Sequence, residues 1–344
     1  MTGREEVEAT FVRAAALTNY FEVAQQLGFD PDPLLLRLGL SRAMLADGDG
    51  RLGATQVVAL LEESARLSGS PTFGLRMAES RQLADFGVVS LLLKHQRTLR
   101  DALVAMIDYR HLVNEAVAIH IEDHGKMVIL RQEVLATYAG SMRQANELAL
   151  GVLSRMCTSL LGARWRPYSV NFTHDAPPDL KVHRRIFKGR LEFVSDFNGV
   201  VCPAGDLDLA NPLADPALAR YAQDFVEAIP GAHDRSIALD VRRTIQLMLP
   251  AGRATIEHVA EQLNMNVRTL QRHLEASGEV FSDLVNSVRR ELVLRYMETP
   301  GYSMGQIAEL LGYASPGSFT RWFLAQFGVS PVRWRKKDTG LDAG

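Results

Sequence analysis

The spacing of hydrophobic residues changes along the chain, and each change predicts a different kind of structure. From about Phe11 to Ala116, apolar residues recur at intervals of three and four, which is the period of an amphipathic helix. Gly28, Gly53 and the Gly69-Ser70-Pro71 cluster interrupt this period, so the region is predicted to contain several helices.

Strand-like patterns follow residue 116. Val117–Ile121 alternates, Met127–Leu130 has strand character, and Asp123-His124-Gly125 between them predicts a hairpin turn. The further predicted elements are a helix over Gly140–Leu161, a strand over Tyr168–Phe172, a short helix after Pro178 and a strand over Leu191–Val194. Residues 11–207 are therefore predicted to form an α+β domain that begins with a helical block.

Proline and glycine then mark a connector between two domains. Asn211-Pro212, Asp215-Pro216 and Pro230-Gly231 interrupt the chain, with one predicted helix among them over Leu218–Ile229. After Ser236 the pattern is helical throughout. The predicted parts are an N-terminal domain at 11–207, a linker at 208–235 and an all-α domain at 236–337.

One pattern occurs twice in the all-α domain. Val259-Ala260-Glu261-Gln262-Leu263 corresponds, 48 residues further on, to Ile307-Ala308-Glu309-Leu310-Leu311. Leu270-Gln271-Arg272-His273-Leu274 corresponds, 49 residues further on, to Phe319-Thr320-Arg321-Trp322-Phe323. Each copy has the pattern of a helix-turn-helix, with an alanine where two steeply crossing helices need a small residue. Two such motifs, here called the first motif (255–276) and the second motif (303–327), can occupy two successive major grooves of one duplex.

The first motif has a polar face suited to base recognition. Thr255 and Asn266 are predicted to cap its two helices, and Gly278 to end the second one. Arginine and glutamine opposite the apolar stripe can contact guanine and adenine edges in a major groove. The predicted DNA contacts of this motif are Asn266, Arg268, Thr269, Gln271 and Arg272.

The second motif is predicted to position the protein more than to recognise bases. Ser303 and Gln306 have capping-box spacing, and Ser315 with Pro316 starts the second recognition helix. Pro316 and Gly317 carry no side-chain donor at the start of that helix, so we expect phosphate and shape contacts. The predicted DNA contacts are Ser315, Ser318, Thr320 and Arg321.

A helix over Phe281–Glu298 is predicted to separate the motifs. Its length of roughly 27 Å, at ~1.5 Å per residue, is close to the ~34 Å between successive major-groove faces. Arg289 and Arg290 on this helix are equally consistent with a solvated surface and with phosphate contact, and Arg289 is kept as a candidate DNA contact. Lys336 and Lys337, in the basic stretch near the C-terminus, are candidate phosphate contacts.

Length and charge fit this division. At 344 residues the chain is long enough for two domains. Its formal net charge is −2, yet from Asp234 onward it carries 14 Lys and Arg against 12 Asp and Glu. The predicted DNA-binding part is therefore the more basic part, by a modest margin.

The sequence contains no motif that indicates an enzyme and no segment that indicates a membrane protein. There is no G-x-G-x-x-G or G-K-[ST] loop, and Cys157 and Cys202 do not have the spacing of metal ligands. His120 and His124 fall on a predicted strand and turn, a placement that does not favour a metal. The polar N-terminus is not a secretory signal, and no apolar run is long enough for a bilayer. We expect a cytoplasmic protein without enzymatic activity, cofactor or metal.

The sequence does not identify an effector-binding site. His183 beside Arg184 and Arg185 can contact an anionic effector, although a basic helix surface is the favoured interpretation. Some apolar residues of the N-terminal helices are expected to line any effector pocket.

Residues 236–337 resemble the AraC/XylS family of bacterial transcription regulators. The residues that carry the resemblance are Ile256, Val259-Ala260, Leu270, Arg272, Leu274, Gly278, Arg289-Arg290, Ile307-Ala308, Leu311-Gly312-Tyr313, Phe319, Arg321, Phe323, Gly328, Ser330-Pro331 and Trp334-Arg335. The resemblance maps base contacts onto Arg268, Gln271 and Arg272 and onto Arg321 with its neighbours. Leu324 and Trp334 depart from the lysine and tyrosine common at these positions.

The N-terminal part more weakly resembles the arabinose-binding-type sensor domain of a subgroup that includes ornithine-utilisation and VirS-type regulators. Arg184-Arg185-Ile186-Phe187, Leu191-Glu192-Phe193 and residues 211–216 carry this resemblance. It implies a small-molecule effector and a homodimer. Double-stranded promoter DNA is the expected macromolecular partner, and RNA polymerase is a further candidate.

The leading hypothesis is an effector-responsive bacterial regulator that binds two adjacent major grooves. One alternative is a ligand-independent DNA-binding regulator, whose N-terminal domain would lack a pocket. The other is a protein–protein adaptor that uses the helical domain, and such a protein would show no salt-dependent binding to DNA.

Overall fold

The computed structural model describes residues 10–136, 138, 140–229, 236–263, 265–298 and 302–338, without the side chains of residues 298 and 336–338. The chain clusters into an N-terminal unit, Met1–Ala136 with Met142–Asp234, and a C-terminal unit, Thr137–Ser141 with Arg235–Gly344. The finer bounds of the three predicted parts stay a prediction.

The N-terminal unit combines helices with short strands, as predicted for an α+β domain. Its helices are α1 (Tyr20–Gln26), α2 (Asp32–Arg37), α3 (Arg42–Ala46), α4 (Ala54–Ser68), α5 (Phe73–Glu79), α6 (Val89–His95), α7 (Leu99–Asp108), α8 (Arg143–Leu161), α9 (Lys181–Ile186), α10 (Ala204–Leu207) and α11 (Pro216–Glu227). Its strands are β1 (Phe11–Arg13), β2 (Arg51–Gly53), β3 (Val117–His124), β4 (Met127–Val134), β5 (Ser169–Asn171), β6 (Arg190–Glu192) and β7 (Gly199–Pro203).

A five-stranded sheet has the order β3-β4-β7-β5-β6. Neighbouring strands are antiparallel except β5 and β6, which are parallel. In the central strand β7, Val200 pairs with Leu130 on one side and with Val170 on the other. The sequence did not predict β7, because a buried five-residue apolar run shows no alternation to identify it.

Two details of the predicted pattern are wrong. The antiparallel pair β1–β2 lies inside the region predicted to be helical, since three-residue strands are too short to establish a period of their own. The hairpin turn falls on Gly125-Lys126, because β3 continues through His124. Gly125 has a φ of +77°, and the Asp123 carboxylate accepts a 2.7 Å hydrogen bond from the Gly125 amide.

Helix α8 runs through the core of the N-terminal unit and packs against α4, α5 and β4. Its contact with α5 depends on small residues. A Cβ on Gly74 would lie 2.2 Å from the Gln144 carbonyl oxygen, and one on Gly151 would lie 2.5 Å from the Ala78 Cβ. Glycine therefore permits this close approach, which fixes the position of α8.

A buried carboxylate joins α8 to α9 and to the chain after β5. Glu147 is fully buried, and its Oε1 lies 3.0 Å from Arg143 Nε, 3.1 Å from His183 Nε2 and 3.2 Å from His174 Nε2. The interpretation of His183 as part of a basic helix surface is wrong, because this imidazole is buried and contacts a carboxylate of the protein itself. Burial alone would raise the pKa of Glu147, but His174, His183 and the Arg143 charge lower it to about 2.

The C-terminal unit is all-α in its described residues from 236 onward, as predicted. Its helices are α12 (Ile237–Met248), α13 (Ile256–Gln262), α14 (Val267–Ala276), α15 (Phe281–Glu298), α16 (Met304–Leu310), α17 (Pro316–Phe327) and α18 (Pro331–Asp338). Leu270 and Leu274 of the first motif, Phe319 and Phe323 of the second, and Val288 of α15 belong to one buried hydrophobic cluster. The two motifs therefore share a core.

Replacing Glu147 with glutamine is expected to destabilise the N-terminal unit by about 3 kcal/mol at neutral pH, because it removes the buried carboxylate that Arg143, His174 and His183 contact. A carboxyl with a lowered pKa stabilises the fold above its unfolded value, here 4.5, and loses that effect as the pH falls toward about 2. The difference between the two proteins in urea unfolding should therefore be full at pH 7 and shrink below pH 4.5.

The matched control for this change is Glu79→Gln, which breaks the exposed pair between Glu79 and Arg185. This surface pair should contribute under about 1 kcal/mol. Equal losses in the two variants, or a Glu147→Gln effect that does not depend on pH, would contradict the role given to the buried cluster.

Candidate nucleic-acid interface

Side-chain caps set the two helices of the first motif. The Thr255 hydroxyl accepts a hydrogen bond from the His258 amide at 3.4 Å, and Asn266 Oδ1 accepts one from the Thr269 amide at 2.8 Å. Both caps were predicted, and so was the end of α14, where Gly278 has a φ of +74°. The helices cross over the buried Ala260.

The exposed face of α14 carries long polar side chains. Arg268, Gln271 and Arg272 are exposed, and within the described part of the chain none of them has a hydrogen-bond or ion-pair partner. Thr269 is half-buried beside them, and Asn266 keeps its amide nitrogen free of the cap contact. The recognition helix therefore presents an array of donors that can meet base edges and phosphates.

The second motif is built in the same way. Ser303 and Gln306 form the predicted capping box, with hydrogen bonds of 2.9 and 3.2 Å. In the turn, Gly312 has a φ of +71°, and a Cβ there would lie 2.8 Å from the Leu249 carbonyl oxygen at the end of α12. Glycine thus lets the turn of this motif pack directly against the backbone that follows α12.

Polar side chains on the second recognition helix, α17, mostly form hydrogen bonds with one another and with the backbone of the same helix. The Ser315 hydroxyl caps the helix and lies 3.0 Å from the Ser318 hydroxyl, to which Arg321 donates at 3.4 Å. Thr320 donates its hydroxyl to the Pro316 carbonyl at 2.9 Å. These contacts leave the other donors of Arg321 as the main exposed polar group, which suits phosphate contact better than reading several bases.

Helix α15 is fastened to the second motif by contacts that the sequence did not suggest. Arg289 Nε donates to the Leu311 carbonyl at 3.1 Å, and its guanidinium carbon lies 4.4 Å from the centre of the Tyr313 ring. Trp322 Nε1 donates to Asn286 Oδ1 at 3.1 Å. The sequence is consistent with Arg289 as part of a solvated surface or as a phosphate contact, and neither interpretation included these contacts within the protein. Phosphate contact by the remaining donors of Arg289 stays a prediction. No periodic signal marks Asn286 and Trp322 as partners.

A second set of contacts fastens α15 to α12. Arg242 donates to the Ser287 hydroxyl at 2.9 Å and to the Glu291 carboxylate at 2.6 Å. The helix between the motifs is therefore held on two sides, by α12 and by the second motif. The backbones of Lys336 and Lys337 lie in α18, but their side chains lie outside the described residues, and their DNA contacts stay predictions.

Two capped helix-turn-helix motifs on one hydrophobic core define a protein of the DNA-binding class. The chain also matches the family model described as the arabinose-binding domain of AraC transcription regulators over residues 28–211, and a helix-turn-helix domain model over residues 259–337. The chain belongs to the AraC family of transcription regulators, with an N-terminal domain of the arabinose-binding type and a C-terminal helix-turn-helix domain.

Curated relatives match along nearly the whole chain. The transcriptional regulator VirS of Mycobacterium tuberculosis is 29% identical over 331 residues, which cover 95% of this chain and 96% of VirS. The ornithine utilization regulator of Pseudomonas aeruginosa is 24% identical, over 88% of this chain and 93% of that protein. The crystal structure of the regulator CdpR from Pseudomonas aeruginosa aligns with 91% of this chain and 98% of its own, at a TM-score of 0.44 and 19% identity.

Within the described residues, no helix combines the length and the apolar character that a membrane crossing needs. The same part of the chain contains no group of three or more His, Cys, Asp or Glu side chains arranged to hold a metal ion.

Replacing Arg289 with methionine is expected to lower the stability of the C-terminal unit by about 2 kcal/mol, because a charge-assisted hydrogen bond and a cation–π contact are lost. Arg290→Met is the matched control: it removes one half-buried arginine from the same helix and one 3.1 Å hydrogen bond, to Gln326. Urea unfolding should show the larger loss for Arg289→Met. An unchanged midpoint for this variant would contradict the bracing role.

Proposed function

We propose that the chain is an effector-responsive bacterial transcription regulator that binds promoter DNA across two successive major grooves. The observation that carries the proposal is the shared core of the two motifs, which fixes two recognition helices on one body. The base-recognising side chains would be Arg268, Gln271 and Arg272. A cavity of about 130 Å³ in the N-terminal unit favours an effector-responsive protein over the ligand-independent alternative.

The two motifs would contact different parts of the DNA, the first mainly bases and the second mainly phosphates. Unpaired donors on α14 suit bidentate contacts with guanine and adenine. On α17, Arg321 and the start of the helix would contact phosphates, with Ser315, Ser318 and Thr320 setting the conformation of that helix. Phosphate contacts by Arg289, Lys336 and Lys337 would add affinity that depends on salt and not on sequence. Contact with RNA polymerase stays a prediction.

The proposal is tested first by isolating a binding site. The full chain is mixed with genomic fragments of its source, including the promoter beside its own gene, and bound fragments are recovered over a salt series. Selective binding with a steep salt dependence supports the proposal. Binding that ignores sequence at every salt concentration, with and without cell metabolites, would contradict it, and no binding at all would favour the adaptor.

On the isolated site, Arg272→Ala is expected to cost about 1–3 kcal/mol and to relax the preference at one base pair. Affinities for the specific and a scrambled duplex are compared by fluorescence anisotropy. Lys337→Ala should weaken both duplexes alike and flatten the salt dependence. Arg184→Ala, which removes an exposed arginine from the N-terminal unit, is the control and should change neither affinity. Equal losses for Arg272→Ala on both duplexes would contradict base recognition.

We propose that the regulator is a homodimer and that α11 forms its interface. Helix α11 buries Ala222 and Val226 and exposes Leu218, Tyr221 and Phe225, which lie on one stripe at intervals of three and four. A stripe of this kind on an exposed helix marks an interaction surface.

The sequence of α11 favours a second copy as the occupant of this stripe. When two copies of α11 pair antiparallel across a two-fold axis near Tyr221, Leu218 of one helix meets Phe225 of the other. An isologous pairing of this kind buries the apolar stripes of both copies against each other.

Phe225→Asp is therefore expected to shift the chain from dimer to monomer, because the substitution places a charge inside the paired stripe. Light scattering coupled to gel filtration measures the mass. Gln223→Asp on the same exposed helix adds a charge outside the stripe and should leave the dimer intact. A Phe225→Asp protein that keeps the mass of a dimer would show that the copies meet elsewhere.

A further inference from the structure

The N-terminal unit contains a cavity whose wall is mostly apolar but carries an excess of positive charge. It lies among β1, α4, α7, α8 and the start of β3, with a volume of about 130 Å³. Of the 28 residues that line it, 21 are hydrophobic. The charged lining residues are Arg13, Arg81, Arg110, Arg155 and Asp85.

Four guanidinium groups and one carboxylate make this wall unusual for an apolar cavity. Buried positive charge is costly unless an anion or several hydrogen-bond acceptors accompany it. Arg13 has such an anion in Asp49, at 2.5 Å, outside the lining. Arg81 is 5% exposed, lies 3.7 Å from Asp85 and donates to the carbonyls of Ala15 and Ala16 at 2.6 and 2.7 Å.

Arg155 has no anionic partner among the described residues. It projects from α8, is half-buried, and uses Nε to donate to the Arg81 carbonyl at 3.3 Å. Its two terminal nitrogens have no partner among the described residues. Arg110 lies in the same wall and donates to the Ile107 carbonyl. The fork of Arg155 is therefore available for a bidentate contact with a planar anion.

We propose that this cavity binds the effector, and that the effector is a small apolar carboxylic acid whose carboxylate is held by Arg155. This inference rests on the proposed function, because it names the ligand class of an effector-responsive regulator. The apolar wall would enclose the hydrocarbon part of the ligand. Its carboxylate would supply the anion that Arg155 does not have among the described residues.

The volume of the cavity limits the hydrocarbon part. An engineered apolar cavity of roughly 150 Å³ binds benzene. A cavity of about 130 Å³ accordingly accepts a body of one ring or of about six carbons. Phosphorylated or polyhydroxylated ligands fit poorly, because their polar groups would be desolvated against the 21 hydrophobic lining residues.

The test compares ligands that have the same hydrocarbon part and differ in the charge of their polar group. Hexanoate, hexan-1-ol and hexylamine are titrated into the full chain, and so are benzoate, benzyl alcohol and benzylamine. Calorimetry gives the affinities, and thermal unfolding reports stabilisation by bound ligand. The two carboxylates should bind at least about tenfold more tightly than the matching alcohols, and the amines should bind weakest.

Two variants locate the binding site. Arg155→Gln should weaken hexanoate at least about tenfold and leave hexan-1-ol nearly unchanged, since it removes the carboxylate partner and keeps the apolar wall. Arg166→Gln is the matched control: Arg166 also donates Nε to a backbone carbonyl, that of Ala163 at 3.3 Å, but is exposed and does not line the cavity. Ala149→Phe, on the apolar wall, should weaken carboxylate and alcohol together.

Each outcome bears on the proposal. Alcohols or amines that bind as tightly as carboxylates would overturn the ligand class, and so would a panel in which nothing binds. Carboxylate binding that survives both Arg155→Gln and Ala149→Phe in folded proteins would overturn the site. The thermal unfolding of the unliganded variants shows whether they are folded.

DNA binding is measured separately with the fragments selected above. A failure of the ligand panel with selective DNA binding leaves the regulator proposal standing. A carboxylate that binds in the cavity, in a chain that binds no DNA, would support the site and contradict the regulator.

Discussion

The proposed recognition of DNA depends on the hydrophobic core that the two helix-turn-helix motifs share with α12 and α15. Leu270 and Phe319 belong to different recognition helices, yet both are buried in the same cluster. Burial of apolar surface supplies the stability of such a core and is non-directional. The hydrogen bonds from Arg289 to Leu311 and from Trp322 to Asn286 are directional, and they set the register between α15 and the second motif.

The sequence predicted those features of the C-terminal unit that depend on residues close together in the chain. A cap is a contact between residues three apart, so Thr255, Asn266, Ser303 and Ser315 could be assigned from spacing alone. The bounds of α15 follow equally from an uninterrupted helical pattern. The DNA contacts assigned to the exposed faces stay predictions from side-chain chemistry.

The spacing of residues along the sequence could not predict contacts between residues that are far apart in the chain. His183 looked like part of a basic surface because Arg184 and Arg185 follow it, and those two residues are indeed exposed. Its partner Glu147 is 36 residues away on another helix. Arg81 likewise meets carbonyls more than 60 residues away, at Ala15 and Ala16. The N-terminal unit thus contains two charged clusters: a buried one around Glu147, and one in the cavity wall, where the terminal nitrogens of Arg155 have no partner among the described residues.

The fastening of α15 on two sides has a consequence for the DNA itself. A helix of 18 residues is about 27 Å long, whereas successive major-groove faces on one side of straight B-form DNA are ~34 Å apart. A braced helix cannot stretch to make up this difference. If the two recognition helices stand only as far apart as α15 is long, the duplex of the proposed complex has to curve toward the protein, and the energy of that curvature depends on base-pair steps that no side chain touches. Flexible steps midway between the two contacted grooves would favour binding, so part of the sequence preference would lie in the stiffness of the DNA.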